Sequence, residues 1–211
     1  MAIAGVGAGR IAAEAAYNSR LPVHTMSQVN LTNHFLIAMP AMADPNFSGT
    51  VTYICEHSPN GALGLVVNRA SDLTMGHLFE QVGIDLSDRT LAAAPVLAGG
   101  PVRPDCGFVL HRPRGQWSST LKVNEHLALT TSRDILEAIG RGDGPQQQIV
   151  TLGYSGWSAG QLEQEILQNA WLTVEASGTV VFDVALEQRF QAALDLLGIS
   201  LAHLSGQAGH A

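Results

Sequence analysis

Gly153-Tyr154-Ser155-Gly156-Trp157 is the segment of this chain closest to a catalytic signature. A G-x-S-x-G turn between a strand and a helix lifts a serine hydroxyl out of the backbone as a nucleophile, and its glycines keep the sharp turn free of clashes. Here the last glycine position holds Trp157, and an indole there argues against the elbow. The acid and base would have to follow in the chain, where Asp183 and His203 are the available pair. The plainer reading of the segment is a tight strand-to-helix turn whose glycines permit close packing. Glu163 stands eight residues past Ser155. On a wheel of 100° per residue it falls inside the arc of Ala159, Leu162, Ile166, Leu167 and Ala170. A half-buried carboxylate must find a cation or hydrogen-bond donors, or raise its pKa. It is either a tuned acid/base or one half of a structural ion pair.

Cys55-Glu56-His57 ends a strand, and a period of two puts Cys55 and His57 on one face, a possible seed for a metal site with His34 or His111. Zinc sites want three or four ligands at recognisable spacing, and HxH, HxxxH and HExxH are all missing. Cys55 as a buried small hydrophobe and His57 as a strand-end cap is the simpler reading. No cofactor motif is complete. Gly5-Val-Gly7-Ala-Gly9-Arg10 lacks the third glycine and a preceding strand, and the chain has no Gly-Lys pair for a P-loop. Arg103, Arg112 and Arg114 flank the strand around Phe108–His111. They suit an anionic ligand or ion pairs with Glu163, Asp105 or Glu125. Pro101 in Gly99-Gly100-Pro101 removes one N–H from any anion nest there.

These residues need elements to hold them. Strands are expected at 35–39, 51–56, 63–68, 96–98, 108–111, 118–123, 127–131, 148–153, 171–174 and 179–182. Ser58-Pro59-Asn60-Gly61 reads as a hairpin turn, with Pro at the second turn position and Gly61 as the left-handed residue. Helices are expected over 73–82, over 133–139 behind a Ser132 cap, and over about 186–197 ahead of Gly198. Ser158 and Gln161 form a capping box, with Trp157 and Leu162 as its hydrophobic staple, for a helix running to about Asn169. Short strands with irregularly interspersed helices make an α+β domain rather than a βαβ repeat. Residues 1–25, rich in Ala and Gly, read as a loosely ordered extension, and residues 26–211 as one domain.

The chain has 211 residues, of which 14% are charged, with a formal net charge of −7 and one lysine, Lys122, beside ten arginines. No Lys/Arg run supplies the cations that a phosphate backbone needs, so direct nucleic-acid binding is disfavoured. Two cysteines and no CxxC fit a reducing compartment. No apolar run is long enough to span a bilayer and no positive region opens the chain, so a cytoplasmic protein is expected.

Several segments together resemble the YqgE/AlgH family of small bacterial proteins, from Leu31 to Ala211. They are Asn33-His34-Phe35-Leu36-Ile37-Ala38-Met39-Pro40, Tyr53-Ile54-Cys55-Glu56-His57, Gly99-Gly100-Pro101-Val102, Gly153 to Trp157 with Gly160-Gln161-Leu162-Glu163, and Leu204-Ser205-Gly206-Gln207-Ala208-Gly209-His210. The resemblance implies a bifurcated sheet partly closed into a small barrel and surrounded by helices. It implies no settled activity, cofactor or catalytic residue. Members often carry a transcriptional-regulator label and are often encoded near a Holliday-junction resolvase, which implies a protein partner. In the family pattern the position of Ser155 can be alanine, which weighs further against a nucleophile.

The expectation is a non-enzymatic regulatory or binding protein that acts through a protein partner. The alternative is a small-molecule-binding protein or hydrolase-like enzyme with its site near Gly153–Trp157 and Glu163. A DNA-binding transcriptional regulator comes third. Tyr154, Ser155, Trp157, Glu163, Arg112 and His57 are the candidate ligand or partner residues.

Overall fold

Near-continuous burial along β2 (Val51–Ser58) and the second half of β6 (Val102–Arg112) shows how the sheet divides the molecule. In β6, Phe108 and Leu110 face one apolar cluster and Val109 faces another. Successive side chains leave a strand on opposite faces, so a strand covered on both sides reads as a continuous apolar run. The computed structural model describes residues 29–113 and 115–198, which form ten strands and six helices. The proposed extension, Arg114 and the run from Leu204 to His210 lie outside the described residues.

Strand β1 (His34–Ala38) pairs antiparallel with β2. The hairpin into β3 (Gly61–Val66) closes with Ser58 opposite Gly61, as the Pro59-Asn60 turn predicts. The order continues through β9 (Gln147–Ser158), β6, β8 (Ala128–Thr130) and β7 (Thr120–Lys122), while β10 (Trp171–Glu175) covers the free edge of β1. β9 is the strand at which the sheet forks. Its first half lies between β6 and the parallel β5 (Pro95–Ala98), which also pairs with β4 (Ala70–Thr74); its second half pairs with β3. The sheet curls into a half-barrel.

Three clusters fill the spaces that this arrangement makes. Phe35, Tyr53, Leu65, Phe108 and Leu110 occupy the hollow of the half-barrel, beneath α5 (Gly178–Phe182) and α6 (Arg189–Asp195). Each such side chain contributes about 1.5–3 kcal/mol by leaving water. On the opposite face of β6 and β9, Val109 and Val150 meet α1 (Met75–Gln81) and α3 (Arg133–Arg141). Leu36 and Ile54 meet α4 (Gln161–Leu167) through Leu162, beside Trp157 and Trp171. Arg189 ties α6 to the sheet: its buried guanidinium donates to the carbonyls of Val67 at 2.6 Å and Val184 at 3.1 Å.

Four local expectations need correction. The run around Thr179–Phe182 is helix α5, not a strand. Its β-branched Val180 and Val181 are buried against α6, and tertiary burial overrides β propensity over so short a run. Residues 153–157 form no turn, since β9 runs straight through them to Ser158. The N-cap of α4 is Gly160 at φ 76°, not Ser158; Gln161 nevertheless reaches back to accept from the Ser158 N–H at 3.0 Å. Ser132 stands at the N-cap of α3 but makes no capping bond, because its hydroxyl donates to Asp134 Oδ1. Strand β4 and helix α2 (Arg89–Ala93) had no counterpart in the sequence reading. Asp88 caps α2, accepting from the N–H groups of Thr90 at 2.8 Å and Leu91 at 3.0 Å.

Candidate functional site

The glycines of the Gly153–Trp157 segment serve a crossing of backbones. Between the pairs Val102–Tyr154 and Gly107–Leu152, β6 bulges outward, and Gly153 alone faces the extra residues. Gly153 has φ 71°, and a Cβ there would press on the Gly100 carbonyl oxygen and come within 3.1 Å of the Val102 oxygen. Gly100 has φ 152°, and a Cβ there would lie 2.5 Å from the Ser155 nitrogen. The Gly99-Gly100-Pro101 loop therefore lies directly on the β9 main chain. Ser155 is fully buried and donates its hydroxyl proton to the Gly99 carbonyl at 3.2 Å. No nucleophile elbow exists here. The hydroxyl is spent on fastening a loop, and Asp183, the acid of the notional triad, pairs with Arg112. Tyr154 packs its ring against Phe108, centroids 5.4 Å apart.

A second bulge redirects His57. The β2–β3 register slips between Ile54 and Glu56, so Cys55 is the extra residue. Cys55 stays in the half-barrel core. His57 is paired instead with Ala62, which pairs with Trp157, and both of those side chains belong to the α4 face. Cys55 and His57 therefore do not share a face, and the pair that might have seeded a metal site is broken. Burial, with the neighbouring Glu56 charge, pushes the Cys55 thiol well above its ordinary range and makes it a poor nucleophile. Burial likewise raises the Tyr53 phenol, which keeps its proton.

His57 is the partner that Glu163 finds, in place of an arginine. His57 Nδ1 accepts from the Leu31 N–H at 3.0 Å. That bond puts the ring proton on Nε2, which donates to Glu163 Oε1 at 3.0 Å. The imidazole is buried while the carboxylate is about one-third exposed. Two residues on, Glu165 does more. Its Oε2 accepts from both indoles, Trp157 Nε1 and Trp171 Nε1, each at 2.8 Å, and its Oε1 accepts from Gln161 Nε2 at 2.9 Å. Phe47 lies against both rings. Glu165 lies outside the apolar arc of the helix wheel. The signal available in the sequence was its neighbours, two tryptophans whose N–H groups must find acceptors when buried.

Arg112 is not part of this cluster. It pairs with Gln147 at the far end of β9, ten residues from Trp157 and thus roughly 30 Å along the strand. Its Nη2 donates to Asp183 Oδ2 at 2.9 Å and its guanidinium lies 4.9 Å over the Phe182 ring. Arg103 projects from the β6 bulge, exposed, at φ 49°. The structure thus brings Ser155, Tyr154, Trp157, His57 and Glu163 to one end of β9 and leaves Arg112 at the other. Among the described residues no three His, Cys, Asp or Glu side chains cluster as metal ligands, and no helix is long and apolar enough to cross a membrane.

Comparison with known proteins agrees with this architecture. The AlgH-like family model matches residues 35–202. A UPF0301 protein of Thiobacillus denitrificans is 60% identical over 186 residues, 88% of this chain and 100% of that one. A UPF0301 protein of Ralstonia nicotianae is 58% identical over 183 residues, 87% of this chain and 96% of that one. Among solved structures, the AlgH protein of Pseudomonas aeruginosa, determined in solution, superposes with a TM-score of 0.73 at 47% identity, covering 90% of this chain and 100% of that one. A Corynebacterium diphtheriae protein shares the fold at 20% identity, with a TM-score of 0.55 over 71% of this chain and 78% of that one. The chain belongs to the AlgH-like family.

Proposed function

We infer that this protein works by binding and acts through a protein partner rather than through a reaction of its own. The outer surface of α4 carries the reading. Both acids of that helix are occupied, Glu163 with His57 and Glu165 with the indoles, and the exposed residues left are Gln161, Gln164 and Leu167. Leu167 is 82% exposed. An amide-rich face of little free charge with an exposed leucine at its end has the composition of an interface core, which is depleted in charge. The chemistry-bearing side chains beneath it support the same reading, because Ser155, His57 and Glu165 are each consumed in holding backbone or indole groups.

A photo-crosslinking residue at position 167, in the natural host, tests this. The expected result is a discrete, heavier adduct containing a second protein, much weaker when the crosslinker stands at the exposed Glu80 of α1. Equal, diffuse labelling at both positions would dispose of the α4 surface as a partner face.

A further inference from the structure

A cavity of about 480 Å³ opens where the start of β1 and the last residue of β6 come together, lined by Asn33, Arg112, Asn124, His126, Gln146 and Gly178 among others. Its volume is that of a small-molecule site. Asn33, Asn124, Arg112 and Gln147 are held in fixed orientations by bonds behind them. Asn124 Oδ1 accepts from the N–H groups of His126 and Leu127, both at 2.8 Å, which sets that amide and aims its Nδ2 at Asn33 Oδ1, 2.8 Å away. The Tyr53 hydroxyl donates to the same Asn33 oxygen at 2.9 Å. The Asn33 amide therefore cannot be flipped, since its oxygen is taken twice. Its Nδ2 has no partner among the described residues. The Asn33 main chain is pinned as well, its N–H on the Ile54 carbonyl and its carbonyl on the Ala176 N–H, both at 2.9 Å.

Arg112 is fixed in the same manner. Its Nε donates to Gln147 Oε1, its Nη2 to Asp183 Oδ2, and Gln147 Nε2 closes the ring on Asp183 Oδ1 at 2.6 Å. The guanidinium rests on Phe182. Nη1 is left without a partner among the described residues, lying so close over Gly178 that a Cβ there would come within 2.6 Å of it. The cavity thus carries two N–H donor groups set by bonds behind them, one of them cationic, while both oxygens of Asp183, the carboxylate that holds Arg112, are occupied. Such a wall is complementary to ligand oxygens. Asp183 offsets the charge of Arg112, so one negative charge suits the site better than the two of a phosphate. We propose that this cavity binds a small monocarboxylate, whose oxygens accept from Arg112 Nη1 and Asn33 Nδ2. Donors already held in place lose little freedom on binding, which favours affinity. The site lies apart from the α4 surface, and its existence does not depend on the partner reading.

The test is an NMR titration of the full-length ¹⁵N-labelled chain with pyruvate, and separately with inorganic phosphate at matched ionic strength. Pyruvate is expected to give saturable shifts of the Asn33 side-chain amide and the Arg112 guanidinium, with phosphate weaker by about tenfold or more. Asn33→Asp keeps the oxygen that Tyr53 and Asn124 use and tolerates φ 64°, but replaces the free donor with a carboxylate oxygen. It should weaken pyruvate by at least about tenfold. Gln146→Glu, on the exposed rim, adds a like charge without touching the core and should weaken binding severalfold, so a folding defect in the first variant would not leave the matter open. Absence of saturable shifts with pyruvate across the millimolar range would overturn the site. Unchanged binding in Gln146→Glu would overturn the location, and phosphate binding as tightly as pyruvate would overturn the ligand class.

Discussion

Removing the Glu165 carboxylate should destabilise the fold more than removing Glu163, although Glu163 is the acid whose helical position draws attention. Trp157 and Trp171 are buried and both point their indole N–H at Glu165 Oε2. Glu165→Ala leaves two buried donors without an acceptor, at about 1–3 kcal/mol each. Water reaching the half-exposed gap recovers part of that, so a net loss of about 2–4 kcal/mol is expected. Glu163→Ala deprives one donor, His57 Nε2, of an acceptor that is already one-third exposed, and water takes its place at a cost of about 0.5–1.5 kcal/mol. Glu165→Gln is the control. An amide oxygen has two lone pairs for the two indoles, and only the exposed bond from Gln161 Nε2 is given up, so about 1 kcal/mol should be lost. Urea unfolding followed by tryptophan fluorescence measures all three. With a slope of about 2 kcal/mol per molar, Glu165→Ala should lower the midpoint by about 1–2 M. A Glu165→Ala midpoint equal to that of the unmodified chain, or a larger loss from Glu163→Ala, would refute the reasoning.

Two other outcomes follow from the same geometry. Gly100→Ala, at φ 152° against the Tyr154–Ser155 main chain, should cost about 3 kcal/mol or more and reduce soluble yield, whereas Gly142→Ala, at φ 80° with open space around it, should cost about 1–2 kcal/mol by urea titration. Burial holds the His111 pKa below its ordinary 6.5, against the small opposing effect of the Pro113 carbonyl. The unfolded chain therefore takes up this proton first on acidification. The stability contributed by neutral His111 is complete above about pH 6.5 and lost as pH falls from there through the depressed folded value. His111→Gln should flatten that part of a urea-midpoint-against-pH curve, and an unchanged slope would remove His111 as its source.

The strands were legible where two-residue periodicity and turn chemistry coincided, as in β2, the Pro59-Asn60 turn and β3. Legibility failed where a residue answers to something distant in the chain. Gly153 and Gly156 look like turn punctuation, but Gly153 is required because the Gly99-Gly100 backbone lies across it. No local window contains that information. Val180 and Val181 look like strand residues, but the half-barrel needs a lid, and a single helical turn presents both to Leu194 and Ala193 of α6. Strand β4 and helix α2 are short and weakly patterned. α2 buries no residue fully, and only Leu91 packs against the cluster under α1 and α3, so its apolar pattern is slight beside the Asp88 cap.

Of the candidate residues, the structure leaves Arg112 at the far end of β9 and gathers the others at the end that carries Trp157. Ser155, Trp157 and Glu163 gather at one end of β9, as their proximity along the chain suggests, and His57, 106 residues before Glu163, joins them through the pairing of β2 and β3. What they do there was hidden by the Cys55 bulge. A one-residue insertion exchanges the faces of everything beyond it, so an uninterrupted period of two puts His57 in the half-barrel core with Cys55. The bulge turns it instead toward Leu31 and Glu163. The same insertion converts a possible metal seed into a clasp. His57 holds the Leu31 main chain with one ring nitrogen and α4 with the other, and this joins the segment leading into β1 to the helix whose outer face we propose as a partner surface. Displacing that helix would break the bond between Glu163 and His57 and leave the imidazole held only by the Leu31 N–H.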